Sequence, residues 1–138
     1  MTGRNMGSSG SLNAEASRKL VTDFLAAWAH RDLDTLMAFF GADAIYHNVP
    51  VAPIAGTPAI REIFRKFLEV FSEISLDVVN IAAEPDLVFV ERVDRFALDG
   101  RRIELPVNGV FEIRSGKIAR FSDYFDLMSF EKLSGIKL

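Results

Sequence analysis

The spacing of apolar residues is mainly in steps of three and four before about position 71 and mainly alternating after it. That change confines the fold more tightly than any other feature. Leu20, Val21, Phe24, Leu25 and Trp28 fall on one face of a helix expected to end near His30. A second, shorter helix is predicted from Asp32, whose carboxylate can cap it, through Leu36, Met37, Phe39 and Phe40 to Gly41, where a helix can stop. A short strand follows at 44–48, then an irregular loop over 49–56 around Pro50 and Pro53. Thr57 and Pro58 read as the cap and first turn of a third helix running to about Phe71, with Ile60, Ile63, Phe64, Phe67 and Leu68 in one stripe. Beyond it strands are predicted at 76–82, 87–96, 103–114 and 117–126, joined in part by tight turns at Asp99-Gly100 and Ser115-Gly116, and a last helix at 128–133. Helices first and antiparallel strands afterwards specify an α+β domain whose helices cover one face of a curved sheet.

A chain of 138 residues suits one domain, large enough to enclose an interior cavity. Residues 1–12, polar and rich in Gly and Ser, are expected to be a flexible leader ahead of a single domain over 13–138. They lack the apolar stretch of a secretory signal, and no apolar run is long enough to span a bilayer, so a cytoplasmic protein without membrane contact is expected. The net charge is -3 and the basic residues form no run longer than a pair such as Arg101 and Arg102, which offers nothing to nucleic acid. The absence of cysteine excludes disulfides, thiolate nucleophiles and thiolate metal sites. His30 and His47 are isolated and no Gly-rich phosphate loop is present, so no metal, nucleotide or flavin cofactor is expected.

The informative residues are charges in apolar rows. On an alternating strand Val88, Val90, Arg92, Asp94 and Phe96 share one face, and Phe121, Asp123 and Phe125 share another. A buried unpaired carboxylate is costly, and arginine is the natural remedy, because its planar fork stays charged and can hold two carboxylates at once. One cation between two acids leaves one negative charge in excess, so one aspartate should hold a proton while the other stays ionised. Which of the two does so is left open by this argument. Tyr46 and Asn48, two apart on the first strand, add uncharged donors and acceptors suited to holding a water molecule, with His47 turned the other way. Each feature alone has an ordinary reading: a solvated Arg/Asp ladder pair, or Asp123 or Asp126 capping the last helix. The combination points to an acid and a base in one site.

The segments Tyr46-His47-Asn48-Val49-Pro50, Glu91-Arg92-Val93-Asp94 and Asp123-Tyr124-Phe125-Asp126-Leu127, in this order, resemble the limonene-1,2-epoxide hydrolases. Gly109-Val110-Phe111 and Gly116-Lys117-Ile118-Ala119 extend the likeness, which runs from about Asn13 to the C-terminus. The resemblance implies the SnoaL-like and ketosteroid-isomerase-like (cystatin/NTF2-like) fold, a curved, mostly antiparallel mixed sheet forming a cone around a deep pocket closed by the N-terminal and middle helices. It implies homodimers, no cofactor, and one-step addition of water to an epoxide. By the family match Asp123 would be the base that activates water, Asp94 the acid that protonates the epoxide oxygen, Arg92 the bridge, and Tyr46 and Asn48 the holders of the water. Pocket walls are expected from Leu25, Trp28, Phe67, Phe71, Leu76, Phe96, Leu105, Val107, Phe125 and Phe130, all apolar and suited to a terpene or cyclic-alkene epoxide that becomes a vicinal diol. The rivals are a SnoaL-like cyclase or isomerase, for which an arginine gripping both acids has no use, and a non-catalytic ligand-binding domain.

Overall fold

Val21, Phe24, Leu25 and Trp28, spaced at three and four, are all buried, and the helix they stabilise is α1 (Gly10–Ala27). A computed structural model describes residues 10–138. Most of the expected 1–12 leader therefore lies outside the described residues, although α1 already begins at Gly10, ahead of the expected Asn13. The chain then makes a 3-10 turn (Trp28–His30), closed by Arg31 in the left-handed region at φ 59°. Asp32 caps the next helix as expected, accepting from the backbone N–H groups of Asp34 and Thr35.

That helix, α2 (Leu33–Met37), is shorter than its apolar run predicts, because Phe40 already belongs to β1 (Phe40–Asn48). The apolar stretch from Leu36 to Phe40 has no decisive period. Pairing with a distant strand settles it: the Ile118 N–H donates to the Phe39 carbonyl and the Lys117 ammonium to that of Ala38. The expected 49–56 loop contains a two-residue strand, β2 (Ile54–Ala55). In α3 (Thr57–Val70) the cap position is Gly56 rather than Thr57, with Pro58 in the first turn as expected.

The strands β3 (Glu73–Glu84), β4 (Leu87–Leu98), β5 (Arg101–Arg114) and β6 (Lys117–Tyr124) follow. Asp99-Gly100 and Ser115-Gly116 form the expected two-residue turns, all four residues having the positive φ that such turns require. The last strand stops at Tyr124 rather than at 126, because Asp126 caps α4 (Leu127–Ser134) by accepting from the Ser129 N–H.

Among the described residues four α-helices cover a curved, unclosed six-stranded sheet of order β2-β1-β6-β5-β4-β3. Four strand pairs are antiparallel and β1–β6 is parallel, so the α+β class and the mixed sheet agree with expectation. The core centres on Phe24, whose ring meets those of Phe40 and Phe121 edge-on at 5.3 and 5.5 Å. Among the described residues no helix is long and apolar enough to cross a membrane.

Candidate active site

The strand register assembles the site. Three rows cross the inner face of the sheet: Val88–Phe111–Phe121–Tyr46, then Val90–Gly109–Asp123–Asn48, then Val78–Arg92–Val107. Asp94 lies one step further along β4, between Leu76 of β3 and Leu105 of β5. The charged groups therefore stand on two strands, Arg92 and Asp94 on β4 and Asp123 on β6, among aliphatic and aromatic neighbours, and Arg92, Asp94 and Asp123 are only 1%, 5% and 5% exposed.

Arg92 joins the two acids. Its Nε and Nη2 donate to Oδ1 and Oδ2 of Asp94 at 2.7 and 3.0 Å, and its Nη1 and Nη2 donate to Oδ1 and Oδ2 of Asp123 at 2.8 and 2.5 Å. Both carboxylates are thus held in paired hydrogen bonds by one guanidinium, the geometry that best offsets its burial. The guanidinium carbon also lies 5.6 Å from the centre of the Phe121 ring, which is itself stacked on Phe111 at 4.3 Å.

Burial pushes both carboxyl groups up, Asp94 to about 6, against the lowering influence of the Arg92 charge on each. The negative charge of Asp123 adds to the rise at Asp94. Burial and the same Asp123 charge also push the Tyr46 phenol above its ordinary range, so it remains protonated and a donor. Its hydroxyl donates to Oδ1 of Asn48 at 2.9 Å, which leaves the NH₂ side of that amide free to donate. Asn48 is the register partner of Asp123, and the Val49 N–H donates to the Asp123 carbonyl at 2.9 Å, fixing the two strand ends together. His47 faces away as expected, its Nε2 2.8 Å from the Val51 carbonyl oxygen.

These polar groups form the floor of an apolar cavity of about 620 Å³ including its mouth. Tyr46, Asn48, Arg92, Asp94 and Asp123 all reach it, as do nine of the ten expected wall residues: Trp28, Phe67, Phe71, Leu76, Phe96, Leu105, Val107, Phe125 and Phe130. Leu25 is the exception, since it is buried in the core and does not line the cavity. Helical spacing places it on the buried stripe of α1 but does not say which part of that stripe borders empty space. The sequence reading also missed Ile74, Phe121 and Leu138 as walls. Ile74 and Phe121 were within reach of the period-two argument, each two residues from a recognised site position. Leu138 had no local signal.

Over residues 15–135 the chain matches the model of the limonene-1,2-epoxide hydrolase catalytic domain. It belongs to that family. Epoxide hydrolase EphG of Mycobacterium tuberculosis is 32% identical over 107 residues, which cover 78% of this chain and 71% of that protein. The solved structure of an M. tuberculosis LEH-like epoxide hydrolase superposes with a TM-score of 0.78 at 30% identity, covering 87% of this chain and 90% of the other. More distantly, a polyketide cyclase candidate from Xanthomonas campestris superposes with a TM-score of 0.80 at 20% identity over 88% of this chain and 98% of its own, which establishes a shared fold alone. The family residues that carried the resemblance, Tyr46, Asn48, Arg92, Asp94 and Asp123, are those the structure brings to one cavity floor.

Proposed function

We propose that this protein is a cofactor-independent epoxide hydrolase that adds water in one step to a small apolar epoxide, of terpene or cyclic-alkene character, to give a vicinal diol. The observation that carries this reading is a single guanidinium bridging two buried carboxylates at the floor of an otherwise apolar cavity. Asp123 is the base and Asp94 the acid. Asn48, oriented by Tyr46, donates to a water molecule whose proton is aimed at Asp123. The water oxygen attacks one ring carbon as its proton passes to Asp123, the ring C–O bond breaks, and the departing oxygen takes the proton of Asp94. Arg92 keeps its charge throughout and balances the one ionised aspartate, so the site has no net charge before or after the step, and no new charge has to be created in an apolar cavity. A proton then returns from Asp123 to Asp94 before the next turnover. The same fold serves cyclase-like proteins, but a lone base acting on a C–H bond has no use for a cation that clamps both acids.

Turnover of a panel of small epoxides with diol detection tests the activity. A single turnover with excess enzyme in oxygen-18 water tests the chemistry. The label should enter the diol in that first turnover, and an unlabelled diol, its oxygen drawn from an enzyme carboxylate, would reject direct attack by water.

The rate should also be bell-shaped in pH. The acid must be protonated, so turnover should decline as pH rises through about 6, where Asp94 gives up its proton, and should decline again on the acid side as Asp123 gains one. A rate flat from pH 5 to 9 would contradict the assignment. We propose further that the protein is a cytoplasmic homodimer. The half-exposed Phe89 and Tyr124 on the outer face of the sheet support the pairing, and a sedimentation mass of one chain would refute it.

A further inference from the structure

We propose that Gly109 is a positioning residue for the acid–base pair, present because the Arg92 guanidinium must lie across it to reach Asp123. Arg92 is on β4 and Asp123 on β6, and β5 runs between them. Neighbouring strands are about 4.8 Å apart, so the side chain can join the two acids only by lying flat over the intervening strand. The crossing point is the row Val90–Gly109–Asp123. A Cβ built at position 109 would lie 2.5 Å from Nη1 of Arg92, 3.0 Å from Oδ1 of Asp123 and 3.3 Å from the Phe111 ring. The first distance is one that real atoms do not tolerate. The second presses on the carboxylate that receives the Nη1 hydrogen bond.

Nothing in the backbone asks for glycine there. Gly56, Gly100, Gly116 and Gly135 have positive φ, and Gly109 does not. A glycine inside a 14-residue strand weakens that strand by giving up side-chain packing and adding chain entropy, so it needs a reason. Its neighbours facing the same way on β5, Val107 and Phe111, are large and buried. The missing side chain at 109 is the space the guanidinium occupies.

The inference rests on the proposed function only for its kinetic arm. Gly109→Ala should lower kcat about a hundredfold, the order expected when a catalytic group is displaced by an ångström, with KM changed little because the apolar walls are intact. It should also move the acidic limb of the pH–rate profile to higher pH. Asp123 would lose contact with the cation that lowers its pKa, an effect that a general loss of folded protein cannot produce. The structural arm is a stability cycle at pH 4.5, where unpaired carboxyl groups can take up protons. Gly109→Ala should lower the urea midpoint of the wild type but leave it unchanged or raised in Arg92→Met, where the clash partner is gone. If Gly109→Ala alone does not fold, the Arg92→Met, Gly109→Ala double variant should. The proposal is overturned by an equal loss of stability in both backgrounds, by failure of both variants to fold, or by a wild-type kcat and pH profile in Gly109→Ala. A wild type that hydrolyses no epoxide would remove the proposed function, while the stability cycle would still decide the role of Gly109.

Discussion

Asp123→Asn should abolish epoxide turnover nearly completely, by about ten-thousandfold in kcat/KM, the upper end of what a positioned acid or base supplies. The loss is doubled in kind by the coupling between the two acids. Removing the Asp123 charge removes one influence that raises Asp94, so Asp94 would ionise and the site would lose its proton donor together with its base. Asp94→Asn should cost somewhat less, about a hundredfold to a thousandfold, because the base survives. The double variant should be little worse than Asp123→Asn, since both groups act in one transition state. The fold should persist in each single variant: one carboxylate and one guanidinium balance, and asparagine has nearly the volume of aspartate. Steady-state hydrolysis, with folding checked by near-ultraviolet circular dichroism, measures this. Near-normal turnover by either single variant would remove that residue from the mechanism.

Arg92→Leu should lose stability as well as activity, by about 3–5 kcal/mol at neutral pH, the usual result of removing one partner from a buried ion pair. Two carboxyl groups would remain buried without a cation, and both already have pKa values raised by burial and held back by Arg92. Without it both would rise further. A carboxyl whose folded pKa exceeds its unfolded value stabilises the fold fully below the unfolded value, and that contribution is lost as pH rises through the folded one. The variant should therefore be more stable near pH 4 than near pH 7.5, and its deficit against wild type should widen across that interval. Arg95→Leu is the control. Arg95 pairs with Asp77 and Glu104 on the exposed side of the same strand, where such pairs contribute about 1 kcal/mol or less. Urea unfolding of both variants at the two pH values decides it, and equal effects at positions 92 and 95 would mean that the buried bridge is not the source of stability.

How far these outcomes were legible beforehand varied with the range of the forces involved. The helices α1 and α3 and the strands β3 to β6 follow from patterns repeated every few residues, and the turns at Asp99-Gly100 and Ser115-Gly116 from backbone chemistry confined to two positions. Boundaries failed where the local pattern was indifferent. Phe39 and Phe40 continue an apolar run that suits a short helix as well as a strand, and a hydrogen bond from Ile118 to the Phe39 carbonyl chose the strand. Asp126 carried two readings, strand end and helix cap, until the Ser129 N–H found it.

The same division runs through the site. Sequence by itself determined that Arg92, Asp94 and Asp123 stand in apolar rows, because side chains alternate along a strand, and that two acids with one cation must share a proton, because burial penalises excess charge. The resemblance to a family named their roles. Only the tertiary structure decided that Arg92 spans β5 to reach Asp123 and that the parallel pairing of β1 with β6 sets Asn48 beside that carboxylate. It alone decided that Leu25 packs in the core while Leu138 faces the cavity, and that position 109 must be empty. Strand order and register join residues tens of positions apart, and no local period records which strand lies between two others. Space that has to stay unfilled is a property of the atoms around it, which come together only when the sheet has formed.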